Sequence, residues 1–307
     1  MVVNLHLIVS SLVLASAYAL VGIGYNLAYS TLRVINFAQG QIYMLGAFIF
    51  ATLAGTGTPL VLAVLAGMAT GALLGIIIER FVITPIMRQG FSHGNTQAAL
   101  LGTVAAGIVL TELANRAWGS KEIGAVALFG SGAVHIGSFT VGIDSLTVIG
   151  GAIVCMVAVW LLLFRTGIGL QMRAVFADPQ VTELQGINFR TVTSVSFLVG
   201  GVITALAGIL VSPLTSVTTS SGLQLSIQGI LATLVGGLGR MWGVVPAAIA
   251  IGLCQSFVSY YVTNQYADLV TYAAIFVALV APHWIRAARG RGSWLPLRRQ
   301  PASATAA

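Results

Sequence analysis

Charged residues are scarce in this chain. They make up 7% of its 307 residues, whereas hydrophobic residues make up 57%; a soluble globular protein carries about 25% charged residues. A sequence this poor in charge cannot cover the surface of a water-soluble fold, and no polar stretch is long enough to form a separate soluble domain. The protein is therefore predicted to lie mainly in lipid.

Lysine and cysteine are also nearly absent, with one lysine at Lys121 and two cysteines at Cys155 and Cys254. A phosphate-binding loop of the G-x-x-x-x-G-K type needs a lysine after glycine, but Ser120 precedes the only one, so this chain is not expected to bind ATP. The cysteines lie far apart in apolar runs, which indicates packing residues. No metal site and no nucleic-acid surface are predicted, because metal-ligand spacing and an aromatic-interleaved basic face are both missing.

Long apolar segments recur along the whole chain. A helical span needs about 20 apolar residues to cross a hydrocarbon core of about 30 Å, and only helices or closed barrels satisfy their backbone groups in lipid. The runs are continuous and do not alternate, which predicts an all-α, polytopic membrane bundle of about eight or nine transmembrane segments. The predicted spans are 7–29, 42–56, 59–82, 97–117, 146–164, 191–211, 241–262 and 266–284, with a short ninth segment at 226–239.

The arginines predict the orientation of the bundle, because positively charged loops remain in the cytoplasm. If the segment 226–239 crosses the membrane, most cations fall on one side, which is then cytoplasmic, while the N-terminus lies outside. We predict one transmembrane domain at 1–285, with a cytoplasmic loop at 165–190. The tail at 286–307 holds five arginines and no acid, and is expected to be disordered and cytoplasmic.

Two polar stretches interrupt the helical pattern, near 30–41 and near 212–240. Broken or re-entrant segments in both halves of a transporter point to its translocation path, since irregular backbone at membrane depth must be buried by protein or line an aqueous cavity. At 34–41, amide side chains precede an uninterrupted span, which favours a substrate-pathway site there. The stretch 212–221 is equally consistent with a simple interfacial connection.

Two carboxylates and a glycine repeat in the predicted spans are explained by contacts within the chain. Glu79 and Glu112 are predicted to form helix-end pairs at the interface with Arg80 and Arg116. The repeat Gly67-x-x-x-Gly71-x-x-x-Gly75 is predicted to pack within the chain, because small residues let membrane helices approach closely.

The loop at 165–190 is predicted to contain a short capped helix. Asp178 suits the N-cap position, Pro179 the first helical position, and Gly186 the left-handed position after the last turn. Such a helix in a positively charged loop is suited to docking onto a soluble partner.

Three stretches in this order carry a resemblance to a known family. They are G-I-G-Y-N-L-A-Y-S-T-L-R-V-I-N-F-A-Q-G-Q-I-Y-M-L-G at 22–46, M-R-A-V-F-A-D-P-Q-V-T-E-L-Q-G-I-N at 172–188, and L-V-G-G-L-G-R-M-W-G-V-V-P-A-A-I-A-I-G at 234–252. The chain resembles the LivH-type permeases of ABC importers for branched-chain amino acids, a family pattern that urea and short-amide permeases share. The similarity is collinear over nearly the whole chain.

The resemblance implies a permease subunit of the bacterial inner membrane that forms a pathway for leucine, isoleucine and valine. It implies a second homologous permease chain, two cytoplasmic ATPase subunits that hold ATP and Mg²⁺, and an external solute-binding protein as partners. The chain itself is then not an enzyme and carries no cofactor. The implied substrate-pathway residues are Asn36, Phe37, Gln39, Gln41, Ser212 and Thr215; the ATPase-coupling residues are Arg173, Asp178, Pro179, Glu183, Leu184, Gly186 and Asn188; and the structural glycines are Gly40, Gly236, Gly237 and Gly239.

Two other functions remain open from the sequence. Urea or a short-chain amide is an alternative solute for the same kind of permease. An ion-coupled secondary transporter would share the broken helices; the absence of a string of acids at mid-span argues against it but does not exclude sodium bound by backbone carbonyls.

Overall fold

The fold is described by a computed structural model that covers residues 2–87, 93–119, 121–130, 132–136, 139–177, 182, 185–261, 269–273, 275–277 and 280. The described residues are 82% helical, and the prediction of an all-α membrane bundle is confirmed. The α-helices are α1 (Val2–Leu32), α2 (Gln39–Gly55), α3 (Leu60–Ile77), α4 (Thr84–Met87), α5 (His93–Trp118), α6 (Ile143–Arg165), α7 (Gly167–Ala177), α8 (Phe189–Val211), α9 (Ser221–Gly236) and α10 (Met241–Tyr261).

Two further elements were not predicted from the sequence. A π-helical segment, Ile78–Ile83, joins α3 to α4. An antiparallel hairpin of β1 (Ala133–Ile136) and β2 (Phe139–Gly142) precedes α6, with Ala133 opposite Gly142. Residues 269–273 and 275–277 are also helical.

The predicted number of eight or nine crossings is not confirmed. In the part of the chain that the structure describes, 6 helices are long and apolar enough to cross a membrane: α1, α3 with its continuation to Met87, α5, α6, α8 and α10. Helix α9 is apolar but shorter. The last predicted span, 266–284, lies partly outside the described residues.

Helices α1 and α8 form the centre of the bundle, and most of each is buried, whereas α5 and α6 are largely exposed. Close approach of the backbones allows α3 to pack tightly against α8. A Cβ atom on Gly71 would collide with the carbonyl oxygen of Gly201 and with the Cβ atom of Ala205, and one on Gly75 would collide with the carbonyl oxygen of Phe197. The glycine repeat of α3 therefore packs within the chain, in agreement with the prediction.

Most arginines in the described part of the chain lie at one end of the bundle. The Arg33 guanidinium, just after α1, donates to the carbonyl oxygen of Phe176 in α7 at 3.3 Å, and Arg80 follows Glu79, whose carboxylate contacts the first turns of α8. We call this the arginine-rich end; its members are Arg33, Arg80, Arg165, Arg173, Arg190 and Arg240. Arg116 lies at the opposite end, where it pairs with Glu112 at 3.2 Å, as predicted.

The predicted interfacial pair of Glu79 with Arg80 is wrong. The Glu79 side chain is 3% exposed; its Oε1 accepts a hydrogen bond from Thr84 Oγ1 at 2.5 Å and its Oε2 accepts one from Ser194 Oγ at 3.0 Å. The cause is the π-helical winding, which aligns residues five apart and so sets Thr84 beside Glu79. The arginine points away, with an exposed side chain.

Candidate functional site

A stretch of non-helical backbone separates α1 from α2. Helix α1 ends where Arg33 adopts a left-handed conformation with φ of 54°, which turns the chain back toward the bundle. This conformation costs a residue other than glycine about 1–2 kcal/mol, and Arg33 recovers part of that cost through its bond to Phe176. Residues 34–38 then lead into α2.

Helix α2 begins near the middle of the membrane bundle. The Gln39 side chain, in its first turn, donates through Nε2 to the carbonyl oxygen of Gly200 at 3.0 Å and to Thr204 Oγ1 at 2.6 Å. Gly200 is about 17 Å along α8 from Phe189 at 1.5 Å per residue, so it lies halfway along that helix. The partially positive N-terminus of α2 is therefore located deep inside the protein.

Asn36 organises this break. Its Nδ2 atom donates to Gln39 Oε1 at 3.1 Å, and its Oδ1 atom accepts from the backbone N–H of Ala38 at 3.2 Å. Asn36 is fully buried and Gln39 nearly so. These amides thus pair with backbone groups and with each other, which offsets the cost of burying them.

Neighbouring helices satisfy the remaining groups of the break. The backbone N–H of Phe37 donates to Thr103 Oγ1 of α5 at 3.1 Å, and its carbonyl oxygen accepts from Ser226 Oγ of α9 at 3.4 Å. A Cβ atom on Gly40 would collide with the backbone of Gly222, so the first turns of α2 and α9 touch directly. We call Asn36, Gln39, Gln41, Thr103, Thr204 and Ser226 the amide cluster.

Gln41 differs from the other two amides. Its side chain is 7% exposed and lies against Gly107 of α5, yet its Oε1 atom is buried without a hydrogen-bond partner. A buried unpaired acceptor costs about 1–3 kcal/mol. Such groups need an explanation, and binding of a donor from another molecule is one.

The second interruption does not bring Ser212 and Thr215 to the amide cluster. Both follow α8 at the end opposite to the arginine-rich end; Ser212 is buried and donates to the carbonyl oxygen of Ile209 at 2.9 Å, whereas Thr215 is exposed. The same segment pairs with the loop after α5 through a β-bridge between Ile123 and Val217.

Sequence reasoning missed the polar residues of α1 and their partners. Tyr25 shares a hydrogen bond of 2.5 Å with Ser226, and Tyr18 donates to Gln255 Oε1 of α10 at 2.5 Å. Thr233 of α9 donates to the carbonyl oxygen of Gly22 at 3.2 Å. The signal that could have found them is the helical spacing of 18, 22 and 25, which sets these residues on one side of α1.

The predicted coupling segment is only partly visible, because Asp178, Pro179, Glu183 and Leu184 lie outside the described residues. Gly186 has φ of 77°, and the N–H of Ile187 after it donates to the carbonyl oxygen of Thr182 at 3.3 Å. That six-residue bond is typical of a helix ended by a left-handed glycine. Asn188 caps α8: its Oδ1 accepts from the N–H groups of Arg190 at 3.1 Å and Thr191 at 3.3 Å.

The late glycine motif forms the turn between α9 and α10. Gly237 and Gly239 have φ of 93° and 81°, a region that other residues rarely adopt, and Gly236 packs against the backbone of Gly243. The N–H of Gly239 donates to Asn26 Oδ1 of α1 at 2.7 Å. Among the described residues, no group of three His, Cys, Asp or Glu side chains could hold a metal ion.

Comparison with known proteins agrees with this architecture. The family model described as "Branched-chain amino acid transport system / permease component" matches residues 7–279. The chain belongs to this permease family. The resemblance seen in its three motifs is thereby confirmed.

Individual relatives cover most of the chain. The high-affinity branched-chain amino acid transport system permease protein LivH of Escherichia coli K12 is 28% identical over 284 residues, 88% of this chain and 91% of LivH. BraD of Pseudomonas aeruginosa is 25% identical, covering 90% of this chain and 93% of BraD. The fructose import permease FrcC of Rhizobium meliloti is 27% identical over 82% of this chain, and the ribose import permease RbsC of Haemophilus influenzae is 30% identical over 41% of it.

A solved structure shares the fold. PsaBC from Streptococcus pneumoniae, in complex with Fab, aligns with a TM-score of 0.50 over 88% of this chain and 90% of that chain, at 13% sequence identity. The family match over residues 7–279, with 6 apolar helices in the described part of the chain, makes the protein a multi-pass membrane permease.

Gln39→Leu is expected to destabilise the protein. The substitution removes the bonds to Gly200 and Thr204 and leaves Asn36 Nδ2 unpaired, which should lower the free energy of unfolding by about 1–3 kcal/mol. Thermal unfolding in detergent with a thiol-reactive dye measures this, since Cys155 and Cys254 are free and half-buried.

Gln97→Leu on the exposed side of α5 is the matched control, because it loses the same amide from an exposed position. Equal unfolding temperatures for the two variants would contradict the role given to Gln39.

Proposed function

We propose that this permease is the membrane subunit of an ATP-driven importer that carries branched-chain amino acids into the cell. An external binding protein delivers the solute, a second permease chain completes the pathway, and two ATPase subunits in the cytoplasm hold ATP and Mg²⁺. The family match over residues 7–279 carries this proposal. The relatives that cover most of the chain are named as permeases for the same solutes.

The position of α2 supports a pathway beside the amide cluster. Discontinuous helices that begin near the membrane midplane bind solutes in many transporters, because their N-termini attract carboxylates. An amino acid presents a carboxylate and an ammonium group. The N-terminus of α2 can attract the carboxylate, and the unpaired Oε1 of Gln41 can accept a hydrogen bond from the ammonium group.

The charge distribution supports the orientation. With the arginine-rich end in the cytoplasm, the loop that contains Gly186 faces the ATPases. The N-terminus of α1 and the segment of Ser212 and Thr215 then face the binding protein. These two residues are proposed to lie at the external entrance of the pathway and not at its centre. The protein would occupy the bacterial inner membrane.

The transported solute and the energy source can be tested together. We expect the co-purified complex in liposomes to hydrolyse ATP faster when its binding protein carries leucine, and not when urea or fructose is offered. If no ATPase co-purified and uptake followed an ion gradient without ATP, the protein would be a secondary transporter.

Gln41→Leu should weaken transport without loosening the fold. Removal of an acceptor for the solute's ammonium group costs about 1.5–3 kcal/mol, so we expect KM for leucine uptake to rise roughly tenfold or more. The unfolding temperature should not fall, because Oε1 makes no hydrogen bond within the protein. Unchanged KM at normal expression would remove Gln41 from the pathway.

Gly186→Val should impair docking of the ATPases. A β-branched residue is strained at φ of 77°, so the end of the coupling segment should shift while the bundle stays folded. Co-purification of the ATPase and its stimulation by solute are the measurements. Gly167→Val is the control, because this exposed glycine begins α7 without a left-handed φ and its added Cβ would meet no neighbour. Equal ATPase recovery from both variants would refute the coupling role.

A further inference from the structure

A cavity of about 350 Å³ opens at the arginine-rich end, between α1, α6, α7 and the turn before α10. This volume falls in the range of ligand-binding pockets, about 300–1,000 Å³. Its wall is mostly apolar and includes Leu163, Phe164 and Trp242, while Arg173 and Arg240 also line it. None of the residues assigned above to the transport pathway lines this space, whereas Arg173, one of the implied ATPase-coupling residues, does.

An apolar groove continues from the cavity between α6 and α10. A smaller cavity of about 40 Å³ shares Leu163, Phe164, Met241 and Trp242 with the larger one, and it is extended by Met156, Trp160 and Val245. Met156 is nine residues before Arg165, the end of α6, and so lies about 14 Å deeper along the helix. The combined space is therefore basic at its mouth and apolar toward the membrane interior.

The basic mouth has no counter-charge within the described residues. The Arg173 guanidinium lies 4.6 Å from the ring centroid of Phe164, which holds it beside the cavity, and the Arg240 side chain is exposed. In the part of the chain that the structure describes, neither arginine forms a salt bridge. The N-terminus of α10 begins at Met241 in the cavity wall and adds a partial positive charge.

Asn26 supplies an independent sign of a missing partner. This residue is fully buried in α1 and lines the same cavity. Its Oδ1 accepts from Gly239, but its Nδ2 is a buried donor with no hydrogen-bond partner. Buried donors are almost always paired, so a hydrogen-bond acceptor from a bound molecule fits here.

We propose that this cavity is a binding site for an anionic phospholipid of the surrounding bilayer. The phosphate accepts from Arg173, Arg240 and Asn26 Nδ2, and an acyl chain lies along the groove between α6 and α10. Basic pockets between membrane helices bind anionic headgroups in this way. The protein's own tail is a poor occupant, since it brings five arginines and no acid to a basic mouth. The site is independent of which solute is transported.

Native mass spectrometry of the full-length permease, titrated with phosphatidylglycerol or phosphatidylcholine, tests the proposal. We expect tighter binding of phosphatidylglycerol, weakened roughly tenfold or more by Arg173→Gln with Arg240→Gln, since each arginine near a headgroup contributes about 1 kcal/mol. Arg80→Gln with Arg190→Gln is the matched control. These two arginines lie at the same end but outside the cavity, and their removal should leave the affinity within about twofold.

Three results would overturn the proposal. Equal weakening by both arginine pairs would mean general charge attraction without a site. Competition by inorganic phosphate as effective as by phosphatidylglycerol would mean an anion site that ignores the acyl chain. Loss of the bound lipid when the ATPase subunits assemble would mean that the cavity is a protein interface. Retention of one phosphatidylglycerol in the assembled complex, sensitive only to the Arg173 and Arg240 pair, would support it.

Discussion

Backbone that leaves the helix inside a membrane protein must find its hydrogen-bond partners within the protein or in an aqueous cavity, because the bilayer core offers no water. The connection between α1 and α2 returns to the middle of the bundle under this constraint. The side chain of Asn36 accepts the N–H of Ala38, and that of Thr103 accepts the N–H of Phe37. The side chain of Gln39 donates to the backbone of α8 and so fixes the start of α2. The polar residues before an apolar helix are therefore a structural requirement of the break. Of the three amides at the described break, Gln41 has a buried acceptor without a hydrogen-bond partner, and this atom can meet a solute.

The same scarcity of water explains how the central helices are held together. Lipid is as apolar as leucine, so helices in a bilayer associate through close packing and interhelical hydrogen bonds. Helix α1 makes interhelical hydrogen bonds through tyrosines, from Tyr18 to α10 and from Tyr25 to α9. Helices α3 and α8 pack closely through glycines, where Gly71 and Gly201 touch. The small residues and the buried hydroxyls are two solutions to one problem.

The sequence was informative wherever a local rule governs the structure. Continuous apolar runs predicted the helices, the amides at 36–41 predicted the break, and the scattered arginines predicted one basic end. It failed where a partner distant in sequence decides. Glu79 is buried because a π-helical turn brings Thr84 to it and α8 supplies Ser194, and neither is visible from the adjacent Arg80. Ser212 and Thr215 were grouped with the amides by polarity, although the predicted span 191–211 already set them at its end, and α8 does separate them from the amide cluster.

The break and the loops of the arginine-rich end meet at two hydrogen bonds. Arg33, at the end of α1, binds the carbonyl oxygen of Phe176, one residue before the end of α7, and Asn26, two turns earlier, binds the turn before α10. The proposed coupling segment follows α7 directly in the sequence. A displacement of α7 by a bound ATPase would therefore act first on the end of α1 and on the connection that leads to α2. Helix α2 is anchored to α8 by Gln39 and to α9 by the contact of Gly40 with Gly222. Movement at the arginine-rich end would therefore reach the amide cluster through the connection between α1 and α2. The phospholipid site adjoins both bonds, so an acyl chain seated between α6 and α10 would stabilise the arrangement in which they are formed.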